Sequence, residues 1–145
     1  RLSPNYCTQD GVVPRSRLPE ILELIRAIGE RRGLTIPNVF HAGDGNLHPI
    51  LLYDERDSEQ VKQVLAASRE ILEACIELGG SVTGEHGVGV EKISMLERLF
   101  GPDDLAVMRR VRGVFDPDRL ANPNKVFATG AGCVEVARPR RQAPL

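Results

Sequence analysis

Only three histidines occur in this 145-residue chain, and all of them lie in two glycine-rich segments. His41 and His48 bracket the turn of "HAGDGNLHP", and His86 follows Glu85 in "TGEHGVG". Imidazole nitrogens and carboxylate oxygens are ligands for divalent metals of borderline softness, and a catalytic zinc commonly takes three protein ligands and keeps a position open. With Gly43, Asp44, Gly45 and Asn46 as the turn, His41 faces His48 across a strand ladder, their Cβ atoms ~5 Å apart. Glu85 is the third ligand such a pair needs, and His86 stays free as a base. In a regular strand Glu85 and His86 would point to opposite faces, so the flanking glycines have to bend the chain to bring both to one site. Plainer readings use the same residues. Gly-Asp-Gly-Asn is good turn chemistry on its own, and a glycine-rich loop after a strand binds a phosphate or nothing at all.

The elements around these motifs follow from periodicity. Leu18, Ile21, Leu22, Ile25 and Ile28 repeat at helical spacing, Pro19 suits a first turn and Gly33 a stop. "TIPNVFHAG" and "NLHPILLYD" are aliphatic runs that read as the two strands of the hairpin. From Glu59 to Leu78, residues Val61, Val64, Leu65, Ser68, Ile71, Leu72, Cys75 and Ile76 share a face, with Asp57 and Gln60 as a capping box and Gly79–Gly80 as the end. "SVTGEHGVG" is a short strand running into a loop. Two more helices span Glu91 to Leu99 and Asp103 to Val114, and prolines 117 and 123 prevent a helix in "FDPDRLANPNK". The expected fold is α+β, a small antiparallel sheet with helices packed on one face.

A net charge of −1 with interleaved signs sets up no field for nucleic acid or an anionic membrane. Cys7, Cys75 and Cys133 are odd in number and far apart, which argues against a disulfide framework or a thiolate zinc site and fits a reducing compartment. No run approaches the ~20 apolar residues of a membrane-spanning helix. The expected layout is a linker over 1–12, a domain over 13–130 and a solvated tail over 131–145 that contains Arg138, Arg140 and Arg141. The opening on Arg1 suggests the C-terminal piece of a longer chain.

"DGVVPRSRLPE", "HAGDGNLHP", "GEHGVG" and "FDPDRLANPNK", in this order, resemble the C-terminal domain of the FAD-linked oxidases of the vanillyl-alcohol-oxidase type. The likeness is nearest to the flavin subunit of glycolate oxidases, with D-lactate and D-2-hydroxyglutarate dehydrogenases as cousins. It implies a ferredoxin-like cap domain followed by a helical segment. It further implies that His41, His48 and Glu85 hold zinc or manganese, that His86 is the general base, and that Asn46, Asn122 and Lys125 lie toward substrate and flavin, with Arg15 meeting a substrate carboxylate. Ile50 stands where the 2-hydroxyglutarate enzymes carry an asparagine, which argues for a short substrate without a second carboxylate.

The activity so implied is oxidation of a small 2-hydroxy acid, glycolate or D-lactate, to the 2-oxo acid, with hydride passing to FAD held mainly by an N-terminal domain of the same polypeptide. The fragment alone is then expected to be inactive and to self-associate through the face that domain covers. An iron–sulfur electron-transfer subunit is the implied partner, and the implied location is cytoplasmic or peripheral to the inner membrane. The competing readings are a non-catalytic metal-binding or interaction module and a metal-dependent hydrolase.

Overall fold

A computed structural model describes residues 2–127. Cys133 and the tail over 131–145 lie outside the described residues. In chain order the elements are β1 (Asn5–Thr8), β2 (Gly11–Val12), a single 3-10 turn (Arg15–Arg17), α1 (Leu18–Arg32), β3 (Asn38–His41), β4 (Asn46–Tyr53), α2 (Ser58–Glu77), α3 (Ile93–Leu99) and α4 (Pro102–Phe115).

β4 is the hub of the sheet. Leu47 pairs with Gly11 of β2 and with Phe40 of β3, so those strands lie on its two sides, and β1 continues the β2 side from Asn5 opposite Tyr53 to Thr8 opposite Ile50. All of these pairings are antiparallel. Ser81 bridges Val12, again antiparallel, which gives the spatial order Ser81, β2, β4, β3. That is the split β-α-β arrangement of a ferredoxin-like sheet, with β1 added and the last strand reduced to one bridge.

Alternation along β4 separates two jobs. Leu47, Leu51 and Tyr53 face α1 and α2, where they join Ile21, Ile25, Ile28, Val64, Ala67 and Ile71 in the core. Each fully buried Leu or Ile there stabilises the fold by roughly 2 kcal/mol relative to exposure. Asn46 and His48 point the other way, away from the helices. Helix α1 buries Leu18, Ile21, Ile25 and Ile28 and stops at Gly33, whose left-handed backbone (φ 65°) lets Leu34 N–H reach the carbonyl of Gly29.

Several expectations need correction. Residues 5–12 are not a linker: β1 and β2 bond to β4, because the open backbone groups of β4 on that side are satisfied by this segment. "SVT" makes no full strand; only Ser81 pairs, since the following backbone turns toward a buried carboxylate. Leu65 is 54% exposed, and Ala67 and Ala74 take the helix–sheet seam instead. Asp57 does cap α2, accepting from the N–H groups of Glu59 and Gln60, but the Gln60 side chain returns to the Asp57 carboxylate and to Asp54 N–H rather than to the Asp57 backbone.

Candidate functional site

The hairpin turn lies one residue earlier than the spacing suggested. Ala42 to Gly45 form it, with Asp44 and Gly45 N–H both donating to the His41 carbonyl, so His41 pairs with Asn46 and Val39 with His48. His41 and His48 are therefore diagonal, not direct, partners. They still share the face away from the helices, because a two-residue offset preserves side. Their ring centroids are 5.5 Å apart, edge to face. Gly45 sets this geometry: its φ is 77°, and a Cβ there would stand 2.0 Å from the Val13 carbonyl oxygen.

Glu85 comes to the pair from the loop after Ser81. One carboxylate oxygen is 3.6 Å from His41 Nε2 and the other 3.5 Å from His48 Nε2. Both separations exceed hydrogen-bond length. They match the ~3.4 Å between ligand atoms that each stand ~2.1 Å from one tetrahedral cation. One ligand atom from each of the three residues lies within 4.8 Å of the others, so His41, His48 and Glu85 fit a divalent cation. His41 and Glu85 are about half exposed, whereas the His48 side chain is 11% exposed and its Nδ1 has no partner among the described residues. His86 stacks on His48, rings 5.0 Å apart and 15° from parallel. The bend at the glycines thus brings Glu85 and His86 to one place.

Asn46 is buried at the base of the cluster, its Nδ2 3.5 Å from His48 Nε2. Residue 84 has to be glycine for this approach, because a Cβ would meet the Asn46 amide at 2.8 Å. The other sequence candidates are placed elsewhere. Arg15 lies in the 3-10 turn, beside Asp44 and Ser81, with none of the described hydrogen bonds or ion pairs joining it to the histidines. Asn122 and Lys125 surround Arg112, whose guanidinium donates to the carbonyls of Ala121, Asn122 and Lys125. That segment returns toward the loop through one bond, Val126 N–H to the Gly89 carbonyl at 2.9 Å.

Two residues at the site, Asp10 and Lys92, were not among the candidates read from the sequence. Asp10 is fully buried and accepts from Thr83 Oγ1 at 2.5 Å and from the N–H groups of Gly84, Glu85 and His86 at 3.0, 3.2 and 2.9 Å. Lys92, 5% exposed, donates to the Asp10 carbonyl at 2.6 Å and lies 3.7 Å from its carboxylate. Burial pushes the Asp10 carboxyl up, but the hydrogen bonds from Thr83, His86 and Glu85 and the charge of Lys92 outweigh it, and it is lowered to about 2. Burial pushes Lys92 down, against the opposing effect of Asp10. The signal available was the start of "DGVVPR", an acidic residue and a glycine at the mouth of an apolar strand.

Comparison with known proteins adds the context. The family "FAD linked oxidases, C-terminal domain" matches residues 1–126. The chain is 42% identical over 135 residues to "Glycolate oxidase subunit GlcD" of Escherichia coli (strain K12), covering 93% of this chain and 27% of that protein. It is 40% identical over 131 residues to the protein of the same name from Bacillus subtilis (strain 168), covering 90% of this chain and 28% of the relative. With "D-lactate dehydrogenase [cytochrome], mitochondrial" of Kluyveromyces lactis the identity is 36% over 123 residues, 85% of this chain and 21% of the relative. The chain spans about a quarter of the length of the curated relatives it matches.

Proposed function

Because the chain belongs to the family of FAD-linked oxidase C-terminal domains, we propose that it forms the substrate side of a flavin-dependent 2-hydroxy-acid dehydrogenase of the glycolate or D-lactate type. The observation that carries this reading is the Glu85 carboxylate, set with one oxygen toward each of two imidazoles at separations too long for hydrogen bonds and right for a shared cation.

His41, His48 and Glu85 would hold zinc or manganese. Such an ion supplies a positive charge that lowers the pKa of a neighbouring hydroxyl group. A ring nitrogen of His86 accepts the proton from the hydroxyl oxygen of the 2-hydroxy acid, and its stacking on His48 holds the imidazole beside the ligand set. FAD, bound mainly by the part of the polypeptide outside this chain, supplies the hydride acceptor. Asn46, Arg15, Asn122 and Lys125 are carried as substrate- and flavin-side residues by the family resemblance; of these Asn46 reaches the cluster, its Nδ2 3.5 Å from His48 Nε2, while the other three stand apart from it. Ile50, two positions beyond His48 on the same face of β4, leaves an apolar surface that suits a short 2-hydroxy acid with one carboxylate.

The relatives named as glycolate oxidase subunits support assembly with further subunits; an electron-transfer iron–sulfur subunit and a cytoplasmic or inner-membrane-peripheral location are part of the proposal on the family resemblance alone. No helix among the described residues is long and apolar enough to cross a membrane. The hydrolase and interaction-module readings have no observation of their own to set against a family of oxidases.

Substitution in the full-length flavoprotein tests the roles. His86→Ala should abolish flavin reduction by the 2-hydroxy acid while metal content stays near that of the parent, and His41→Ala should lose both. Equal metal loss in the two variants would contradict the assignment of His86 as base.

A further inference from the structure

The geometry points to Asp10 as the positioning residue of this site, holding the loop that carries Glu85 and His86 in the conformation that presents both to His48. The inference rests on the proposed reading for which side chains matter, and on the following observations for the rest. Three successive backbone N–H groups, those of Gly84, Glu85 and His86, converge on one carboxylate. Such convergence fixes the peptide planes on both sides of Glu85 and so the directions of the Glu85 and His86 Cα–Cβ bonds, the two directions that an extended chain would place on opposite faces.

The tie is local and rigid. Thr83 joins it twice, donating to the carboxylate and accepting from Gly87 N–H at 2.8 Å, so the turn closes around Asp10 at both ends. The anchor cannot drift, because Asp10 is fully buried between β1 and β2 and Lys92 grips its carbonyl. Ser81 and Gly89 bond outward to Val12 and Val126, but the described hydrogen bonds that hold the Glu85 and His86 backbone N–H groups all end on Asp10. An ion pair that served stability alone would have no need to collect consecutive N–H groups from the residues that bear the site.

Asp10→Asn in the 145-residue chain, probed with Zn2+, tests this with two readouts. The amide keeps the size of the carboxylate but turns an NH2 group toward N–H donors. Zn2+ affinity by calorimetric titration should fall about 10- to 100-fold, the range seen when a group that orients a ligand is lost. In metal-free protein, the upfield displacement that His48 and His86 ring protons owe to stacking should collapse in the NMR spectrum. A lower unfolding midpoint with Zn2+ affinity within about twofold of the parent and unchanged ring shifts would overturn the proposal, since a purely structural pair would behave that way. If unpaired Lys92 prevents folding, Asp10→Asn/Lys92→Met removes both charges and carries the same readouts. A parent chain with stacked rings but no Zn2+ uptake would count against the metal reading alone, and the ring shifts would then decide for Asp10.

Discussion

Asp10 links the chemistry of single residues to pH. Its carboxyl is lowered to about 2 in the folded chain from an ordinary value of 3.8. A group whose folded value is depressed stabilises the fold fully above the unfolded value and loses that contribution as pH falls through the folded one. The window is therefore roughly pH 4 down to 2, and the loss is about 2 kcal/mol. Denaturant unfolding from pH 5 to 2 should show the parent losing about that much more stability than Asp10→Asn, with Asp54 and the other surface carboxylates common to both. Equal losses would mean that the Asp10 carboxyl is not held by its N–H donors. The same residue marks a limit of sequence reading. His41, His48, Glu85 and His86 were legible because imidazoles confined to glycine-rich motifs are rare, and the structure gathers all four. Asp10 was not, because its importance lies in contacts more than seventy positions along the chain.

At the scale of elements, the hairpin turn decides where the first two histidines point. Its two glycines have different duties. Gly45 has a left-handed backbone and no room for a Cβ beside Val13, whereas Gly43 has no atom within 4 Å of where its Cβ would be. Gly45→Ala should cost about 2–3 kcal/mol through strain and displaced β2 backbone, and Gly43→Ala should stay within about 0.5 kcal/mol of the parent. Urea midpoints measure both, and similar values would contradict the close approach. Helices α1 and α2 were legible from their period of 3.6, and the hairpin from two aliphatic runs on either side of a glycine-rich turn. The register was not: four-residue turns beginning at Ala42 and at Gly43 satisfy the sequence equally, and the choice is made by Val13, just after β2, whose N–H bonds to the Gly45 carbonyl at 3.0 Å. β1 was missed for a related reason. A four-residue edge strand carries too few alternations to stand apart from a linker, and only pairing with β4 defines it.

Across the whole molecule, the sheet divides structural and chemical work between its two faces. One side packs on α1 and α2, and the other presents an open site with His41 and Glu85 about half exposed. Such openness suits one wall of an active site whose flavin lies in another part of a longer polypeptide, as the proposed function requires. The α+β layers followed from the strands and helices, and the resemblance implied their ferredoxin-like arrangement, but the site depended on one loop that is neither strand nor helix, and its path was set by a buried carboxylate rather than by periodicity.

The proposed function stands on His41, His48 and Glu85 acting as one ligand set. Elemental analysis of the purified chain beside a His41→Ala/His48→Ala variant, each loaded with zinc or manganese and dialysed against a weak chelator, tests it most directly. Near-stoichiometric metal is expected in the parent and none in the variant. Metal absent from the parent, or retained equally by both, would contradict it.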